Sequence, residues 1–212
     1  MSTESPLIAG DDAPPLLKSL CMTEEEFGNW HDEFLRGEWV DGEVELMAPA
    51  NTEHSEIQNL LLWLIQGFTS HHNLGKAWGP ELTVKLPSLR RRRVPDLLFV
   101  SQDRQEIIRP TYVDGAPDLI MEVVSPDSVR RDWRTKYQEY EQAGVLEYWI
   151  IDPGSRVVEA YVLTDGAYQL LPEAEGRIAS QVVSGFFLKP AWLWQSPRPK
   201  LLDLLRELGV LT

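Results

Sequence analysis

Asp96, in Arg93-Val94-Pro95-Asp96-Leu97-Leu98-Phe99-Val100, and Glu122, in Asp118-Leu119-Ile120-Met121-Glu122-Val123-Val124, each place one carboxylate inside an otherwise apolar, strand-like run. A carboxylate taken out of water without a partner either raises its pKa or destabilises the fold, so two of them in successive runs suggest a shared cation. Side chains alternate along a strand, so Asp96, Leu98 and Val100 share one face of their strand, and Ile120, Glu122 and Val124 share one face of theirs. If the two strands are neighbours in suitable register, the acids approach on the scale of the strand spacing, about 4.8 Å. Two anions that close repel, and a hard divalent cation relieves the repulsion. Carboxylate and water ligation suits Mg²⁺ or Mn²⁺, with the Val123 carbonyl as a further candidate ligand.

Downstream, Asp132, Lys136 and Tyr140 recur at four-residue steps, so one helix face can present a lysine between an acid and a phenol. An ammonium beside a bound metal can orient an attacking water or stabilise charge developing on a phosphorus centre. Taken alone, Asp132 and Lys136 read better as an exposed ion pair contributing less than ~1 kcal/mol. Asp96 alone reads equally well as a structural carboxylate held by backbone or by one of Arg90 to Arg93, and its pairing with Glu122 is what favours a metal. His54 reads as a helix-surface or capping residue, and the adjacent His71 and His72 are poorly placed to chelate one ion. Arg90 to Arg93 read as a solvated loop, with phosphate tracking as the alternative.

The elements that must position these groups are legible in outline. Residues 1–22, with Gly10-Asp11-Asp12-Ala13-Pro14-Pro15, read as an N-terminal arm, and 23–212 as one domain. Thr23-Glu24-Glu25-Glu26 has the capping-box pattern of a short helix. Asp41-Gly42 between two alternating stretches predicts a hairpin. Ile57, Leu60, Leu61, Leu64 and Ile65 predict a helix from Thr52 to about Phe68. Three strands follow, over Ala77 to Leu86, Val94 to Val100 and Asp118 to Val124, in an antiparallel meander. Ser125-Pro126-Asp127-Ser128 suits a cap for a helix ending at Gly144. A strand over 147–151, a hairpin across Asp165-Gly166 and an amphipathic helix over 201–208 complete the chain. The tryptophans, Trp63, Trp149, Trp192 and Trp194 among them, read as core or oligomer interface.

Composition narrows the function. Twenty basic against 33 acidic residues give a net charge of -13, which argues against broad adhesion to nucleic acid or anionic membrane. One cysteine cannot form an internal disulfide or a thiolate metal cage. The run Leu60 to Ile65 is too short to span a bilayer, and the start lacks a basic, then apolar, leader. The expected setting is the cytoplasm. No phosphate-cradling glycine loop, serine nucleophile elbow or paired-cysteine zinc site is present, which removes support for nucleotide kinases, ordinary serine hydrolases and zinc fingers.

The succession Glu38-Trp39-Val40-Asp41-Gly42-Glu43, His54, Val94-Pro95-Asp96, Asp118 to Pro126, Asp132 with Lys136 and Tyr140, and Gly144-Val145-Leu146-Glu147-Tyr148-Trp149-Ile150-Ile151-Asp152-Pro153 resembles the Uma2 family, formerly DUF820. The likeness spans about Thr23 to Phe187. It implies an α/β, restriction endonuclease-like core, with a mixed central sheet flanked by helices, an N-terminal hairpin and a C-terminal β extension, and a PD-(D/E)XK type of site. By resemblance Asp96 supplies the aspartate and Glu122 the second metal-binding acid. Val124 stands where the simplest pattern has lysine, so Lys136 takes that role from the following helix. Glu38 becomes an accessory acid or metal-shell residue. The implied activity is Mg²⁺- or Mn²⁺-dependent cleavage of nucleic acid, with DNA the expected polymer. Two competitors stay open: a binding or regulatory module without useful turnover, and a metal-dependent hydrolase of another substrate. The C-terminal helix and Trp192-Leu193-Trp194 offer apolar surface for a homodimer.

Overall fold

A computed structural model describes residues 20–30, 37–125, 128 and 131–211. The proposed N-terminal arm therefore lies outside the described residues except at its end, where Leu20–Cys21 forms strand β1. Helix α1 (Glu24–Asn29) starts with the expected reciprocal cap: the Glu26 amide donates to Thr23 Oγ1 and the Thr23 amide to Glu26 Oε2. Strands β2 (Gly37–Val40) and β3 (Glu43–Leu46) pair antiparallel around Asp41 and Gly42. Both turn residues have positive φ, which matches the twist of a two-residue hairpin. Helix α2 (Thr52–His71) is capped by the Asn51 side chain, which accepts from the His54 amide, and it buries Ile57, Leu60, Leu61, Leu64, Ile65 and Phe68.

The predicted strand over 77–86 is instead two strands, β4 (Gly75–Trp78) and β5 (Thr83–Leu86), in different sheets. Gly79-Pro80 separates them, because proline cannot donate to a ladder and ends the pairing. The arginine run is also not a loop: Arg91–Arg93 is strand β6, paired with both β2 and β5. Strands β7 (Leu97–Ser101), β8 (Tyr112–Asp114) and β9 (Leu119–Val123) follow. A π-helical turn, Arg131–Lys136, leads into α3 (Tyr137–Ala143), which ends at left-handed Gly144 as the sequence predicts. Pro126 and Asp127 of the predicted cap lie outside the described residues.

Strands β10 (Glu147–Asp152), β11 (Val157–Thr164) and β12 (Ala167–Leu170) complete a mixed central sheet of order β12-β11-β10-β9-β7-β4. Only β9 and β10 run parallel in it. The pairs β4–β7 and β7–β9 are antiparallel as predicted, but β5, β6 and β8, which belong to another sheet, intervene along the chain, so the three strands are not the simple meander expected. A second sheet has the order β1-β3-β2-β6-β5-β8. The C-terminal region adds β13 (Glu173–Ala174), β14 (Arg177–Ala179), β15 (Phe187–Leu188), α4 (Pro190–Trp194) and α5 (Leu201–Glu207).

Period-two alternation divides the central sheet between two cores. Leu97, Phe99, Leu119, Met121, Val123, Trp149 and Ile151 pack with α2 and the C-terminal helices. Leu98, Val100, Ile120, Val124, Tyr148 and Ile150 pack with Tyr140 and with Val84, Leu86 and Val113 of the second sheet. Trp192 and Leu193, offered above as dimer surface, are buried in the first core, whereas Trp63 is 53% exposed and fills no core. A surface cavity of about 700 Å³ lies between α2 and the C-terminal segment around Trp63, Trp194 and Arg198, and none of the candidate acids lines it.

The turn from α2 into β4 depends on Gly75, whose φ is +148°. A Cβ there would stand 2.3 Å from the Val100 carbonyl oxygen and 2.8 Å from the Ser101 Cα, both backbone atoms that cannot rotate away. Gly75→Ala is expected to lower stability by ~1–3 kcal/mol. Urea denaturation measures it, and a wild-type midpoint would show that this approach is not tight.

Candidate active site

Strands β7 and β9 pair antiparallel with Leu97 opposite Met121. Continuing that register by one residue sets Asp96, just before β7, across from Glu122, so the two acids predicted to meet do face one another on neighbouring strands. The Val123 amide donates to Asp96 Oδ2 at 2.7 Å, which fixes the aspartate against the end of β9. Helix α2 supplies the other clamp: Gln58 donates to Asp96 Oδ1 at 2.9 Å, and His54 Nε2 lies 3.0 Å from the same oxygen. His54 is thus a buried partner of Asp96, which corrects its reading as a surface or capping residue; only its main-chain amide takes part in the cap.

Glu122 lies in a central strand and is buried. Its Oε1 accepts from Lys136 Nζ at 2.8 Å and from the Tyr140 hydroxyl at 2.9 Å. Lys136 also lies 3.3 Å from Glu38 Oε1 and 3.5 Å from Asp132 Oδ1. The exposed Asp132–Lys136 pair expected for an ordinary helix is therefore overturned: both residues are 2% exposed and serve a buried cluster. The wider π-helical turn that carries them, a feature frequent at functional sites, is the local departure that brings both inward.

Glu38 enters from β2 in the second sheet and accepts from the Val94 amide at 3.1 Å and from Arg93 at 2.8 Å. Arg93 is fully buried and makes a two-point contact with Glu139 on α3, both bonds 2.8 Å. Arg91 reaches Glu139 as well, at 2.9 Å, and Arg92 reaches Glu24 at 3.2 Å. The arginine run is therefore spent on carboxylates rather than offered to phosphate, Arg90 being its one exposed member. Gln58, Arg93 and Glu139 were missed as site residues by sequence reasoning. Gln58 had one available signal, since it lies four residues after His54 and so on the same helix face.

The two glutamates that share Lys136 have opposite electrostatics. Burial alone would raise Glu38, but the Lys136 ammonium, then Arg93 and Arg131, outweigh it and hold the carboxyl at about 2. Burial pushes Glu122 up to about 8; Lys136 opposes this, while Asp96, Asp132 and Glu38 add to it. Burial disfavours the Lys136 ammonium, yet the surrounding acids, Glu122 foremost, hold its pKa well above the ordinary range. For His54, burial is likewise outweighed by its bond to Asp96, and the ring is shifted toward the protonated form.

The donor chemistry fits a hard divalent cation. Glu38, Glu122 and Asp132 gather their carboxylates around the one Lys136 ammonium, and Asp132 Oδ1 is a buried oxygen without a hydrogen-bond partner among the described residues. No three His, Cys, Asp or Glu side chains among the described residues form a ready metal cage.

The fold is similar to that of a solved "putative nuclease belonging to DUF820" from Anabaena variabilis ATCC 29413, with a TM-score of 0.68 and 19% identity over 80% of this chain and 96% of that one. The chain itself belongs to the Uma2 family, described as "Putative restriction endonuclease", whose model matches residues 24–190. No protein of curated function matches it. Among the described residues no helix is long and apolar enough to cross a membrane.

Two stability experiments follow from the charge arrangement. Because folding raises the Glu122 pKa from 4.5 to about 8, the folded state holds more protons between those values, and its contribution to stability falls as pH rises through them. Glu38 acts in the opposite sense, its contribution being lost as pH falls from 4.5 toward about 2. Glu122→Gln is therefore expected to flatten the decline in urea midpoint between about pH 5 and about pH 8; an equal decline in variant and wild type would refute the shift. Arg93→Met leaves Glu38 and Glu139 buried without their shared cation and is expected to cost ~3–5 kcal/mol by chemical denaturation, so a loss below ~1 kcal/mol would show that the clamp is dispensable.

Proposed function

We propose that this protein is a Mg²⁺- or Mn²⁺-dependent endonuclease that hydrolyses phosphodiester bonds in nucleic acid, with DNA as the expected polymer. The observation that carries the reading is the facing pair Asp96 and Glu122, with the Lys136 ammonium 2.8 Å from the glutamate. Asp96 and Glu122, with the Val123 carbonyl, would hold the metal, which supplies Lewis-acid polarisation of the phosphate and a more acidic bound water. His54, Gln58 and the Val123 amide hold the Asp96 carboxylate in one orientation. Lys136 places positive charge beside Glu122, where it can orient the attacking water and offset charge on the pentavalent phosphorus. Glu38 steadies that ammonium from the second sheet and so acts through Lys136.

A second reading, a nucleic-acid- or protein-binding module without turnover, draws support from one observation. Glu38, Glu122, Asp132 and Lys136 are all nearly closed to solvent, and the ammonium already neutralises part of the acid cluster.

Plasmid and single-stranded DNA incubated with purified protein should be cut only when Mg²⁺ or Mn²⁺ is present, and Asp96→Ala or Glu122→Ala should each lower the rate by ~100-fold or more. Cutting that survives both substitutions would place the chemistry elsewhere. Metal uptake by calorimetry without cleavage of DNA or RNA would favour the module.

A further inference from the structure

Asp96 and Glu122 share a pattern of hydrogen bonding that neutralising their charge does not require: in each carboxylate, one oxygen is met by two donors. His54 Nε2, at 3.0 Å, and the Gln58 amide, at 2.9 Å, converge on Asp96 Oδ1. Lys136 Nζ, at 2.8 Å, and the Tyr140 hydroxyl, at 2.9 Å, converge on Glu122 Oε1. A carboxylate oxygen has about two lone-pair positions, so Oδ1 and Oε1 are both taken. Asp96 Oδ2 also accepts the Val123 amide at 2.7 Å, which uses one of its two positions. The grip is built the same way twice. Gln58 lies one turn after His54 on α2, and Tyr140 lies one turn after Lys136 where the π-helical turn runs into α3, so each acid is held by two residues four apart in sequence. Tyr140 has no exposed surface, and its ring packs edge-on against Tyr148, so it acts only through Glu122. The two acids keep slight exposure, 8% for Asp96 and 3% for Glu122.

We infer that Tyr140 and Gln58 are positioning residues that hold each acid to a single available oxygen, and so set the preference of the site for a small cation, Mg²⁺, over the larger Ca²⁺. The inference rests on the metal reading above and adds what selects the ion. Mg²⁺ is commonly held by one or two carboxylates and keeps several waters in a strict octahedron, whereas Ca²⁺ takes about six to eight oxygens and accepts carboxylates through both of theirs. A carboxylate with one oxygen already claimed by two donors meets the first demand and resists the second. Gln58 carries no charge, and burial keeps the Tyr140 phenol protonated. Removing either donor therefore frees a lone-pair position and leaves the charge of the site as it was.

The test is isothermal titration calorimetry of the full-length protein, stripped with a chelator and dialysed, against Mg²⁺ and Ca²⁺ in separate runs. Uptake at the site is the part that Glu122→Ala removes, which sets aside ions gathered by the acidic surface. Tyr140→Phe and Gln58→Leu are each expected to shift the ratio of Ca²⁺ to Mg²⁺ affinity by ~10-fold toward Ca²⁺, and the double variant by more than either. Tyr161→Phe, which removes a β11 phenol bonded to Glu159, should leave the ratio unchanged. Thermal midpoints measured in chelator identify a purely structural role, which lowers stability and both affinities together without moving the ratio. That result, or a wild-type ratio in both single variants, overturns the inference and leaves the metal reading in place. A wild-type protein that takes up neither ion at the Glu122 site overturns both. If Tyr140→Phe does not fold, Gln58→Leu, at a position partly open to solvent, carries the same comparison.

Discussion

The buried ammonium of Lys136 is the point on which this molecule closes. It lies 2.8 Å from Glu122 of the central sheet, 3.3 Å from Glu38 of the second sheet and 3.5 Å from Asp132 of its own helical turn. An unpaired charge at such depth would be unsustainable, and so would the acids without it. The same contact therefore joins two sheets and a helix and assembles the candidate site, so the site cannot be rearranged without loosening the packing around it.

The arrangement is asymmetric, and the asymmetry has chemical meaning. Glu38 has a main-chain amide and Arg93 in addition to the shared lysine, and is a settled anion. Glu122 has the closer approach to the lysine, yet its other charged neighbours are acids. One carboxylate is thus committed to structure and the other is left wanting positive charge, the separation of roles expected where two like groups are tuned apart by their surroundings. Arg93 matters to this division because it binds Glu139 at two points, which keeps α3 and β6 in register with β2. Removing positive charge from the Glu38 side would make the two glutamates compete for one ammonium.

Much of the scaffold was legible because it follows local rules. The Thr23 cap, the Asp41-Gly42 hairpin, the α2 stripe and the Gly144 stop each need only residues close in sequence. The facing of Asp96 and Glu122 was legible as a possibility, since alternation defines faces but not register. What escaped was non-local. Arg91 to Arg93 carry no apolar alternation, so nothing in their pattern announces a strand whose third residue is buried; the reason lies in Glu38 and Glu139, 55 and 46 residues away. Gly79-Pro80 marked a break, but only the topology shows that the chain changes sheets there. Asp132 and Lys136 looked like a surface pair because four-residue spacing is the same for a solvated face and a buried one. The π-helical widening that turns them inward has no simple sequence signature.

The balance of charge sets a limit on what such a site can be for. A protein selected only for stability would replace a buried cluster of this kind with apolar side chains, which commonly gains 1–4 kcal/mol where an ion pair is removed whole. Here the cluster keeps more carboxylates than its lysine can neutralise, and it leaves Asp132 Oδ1 and His54 Nδ1 without hydrogen bonds among the described residues. Unspent groups of this sort are destabilising unless something completes them.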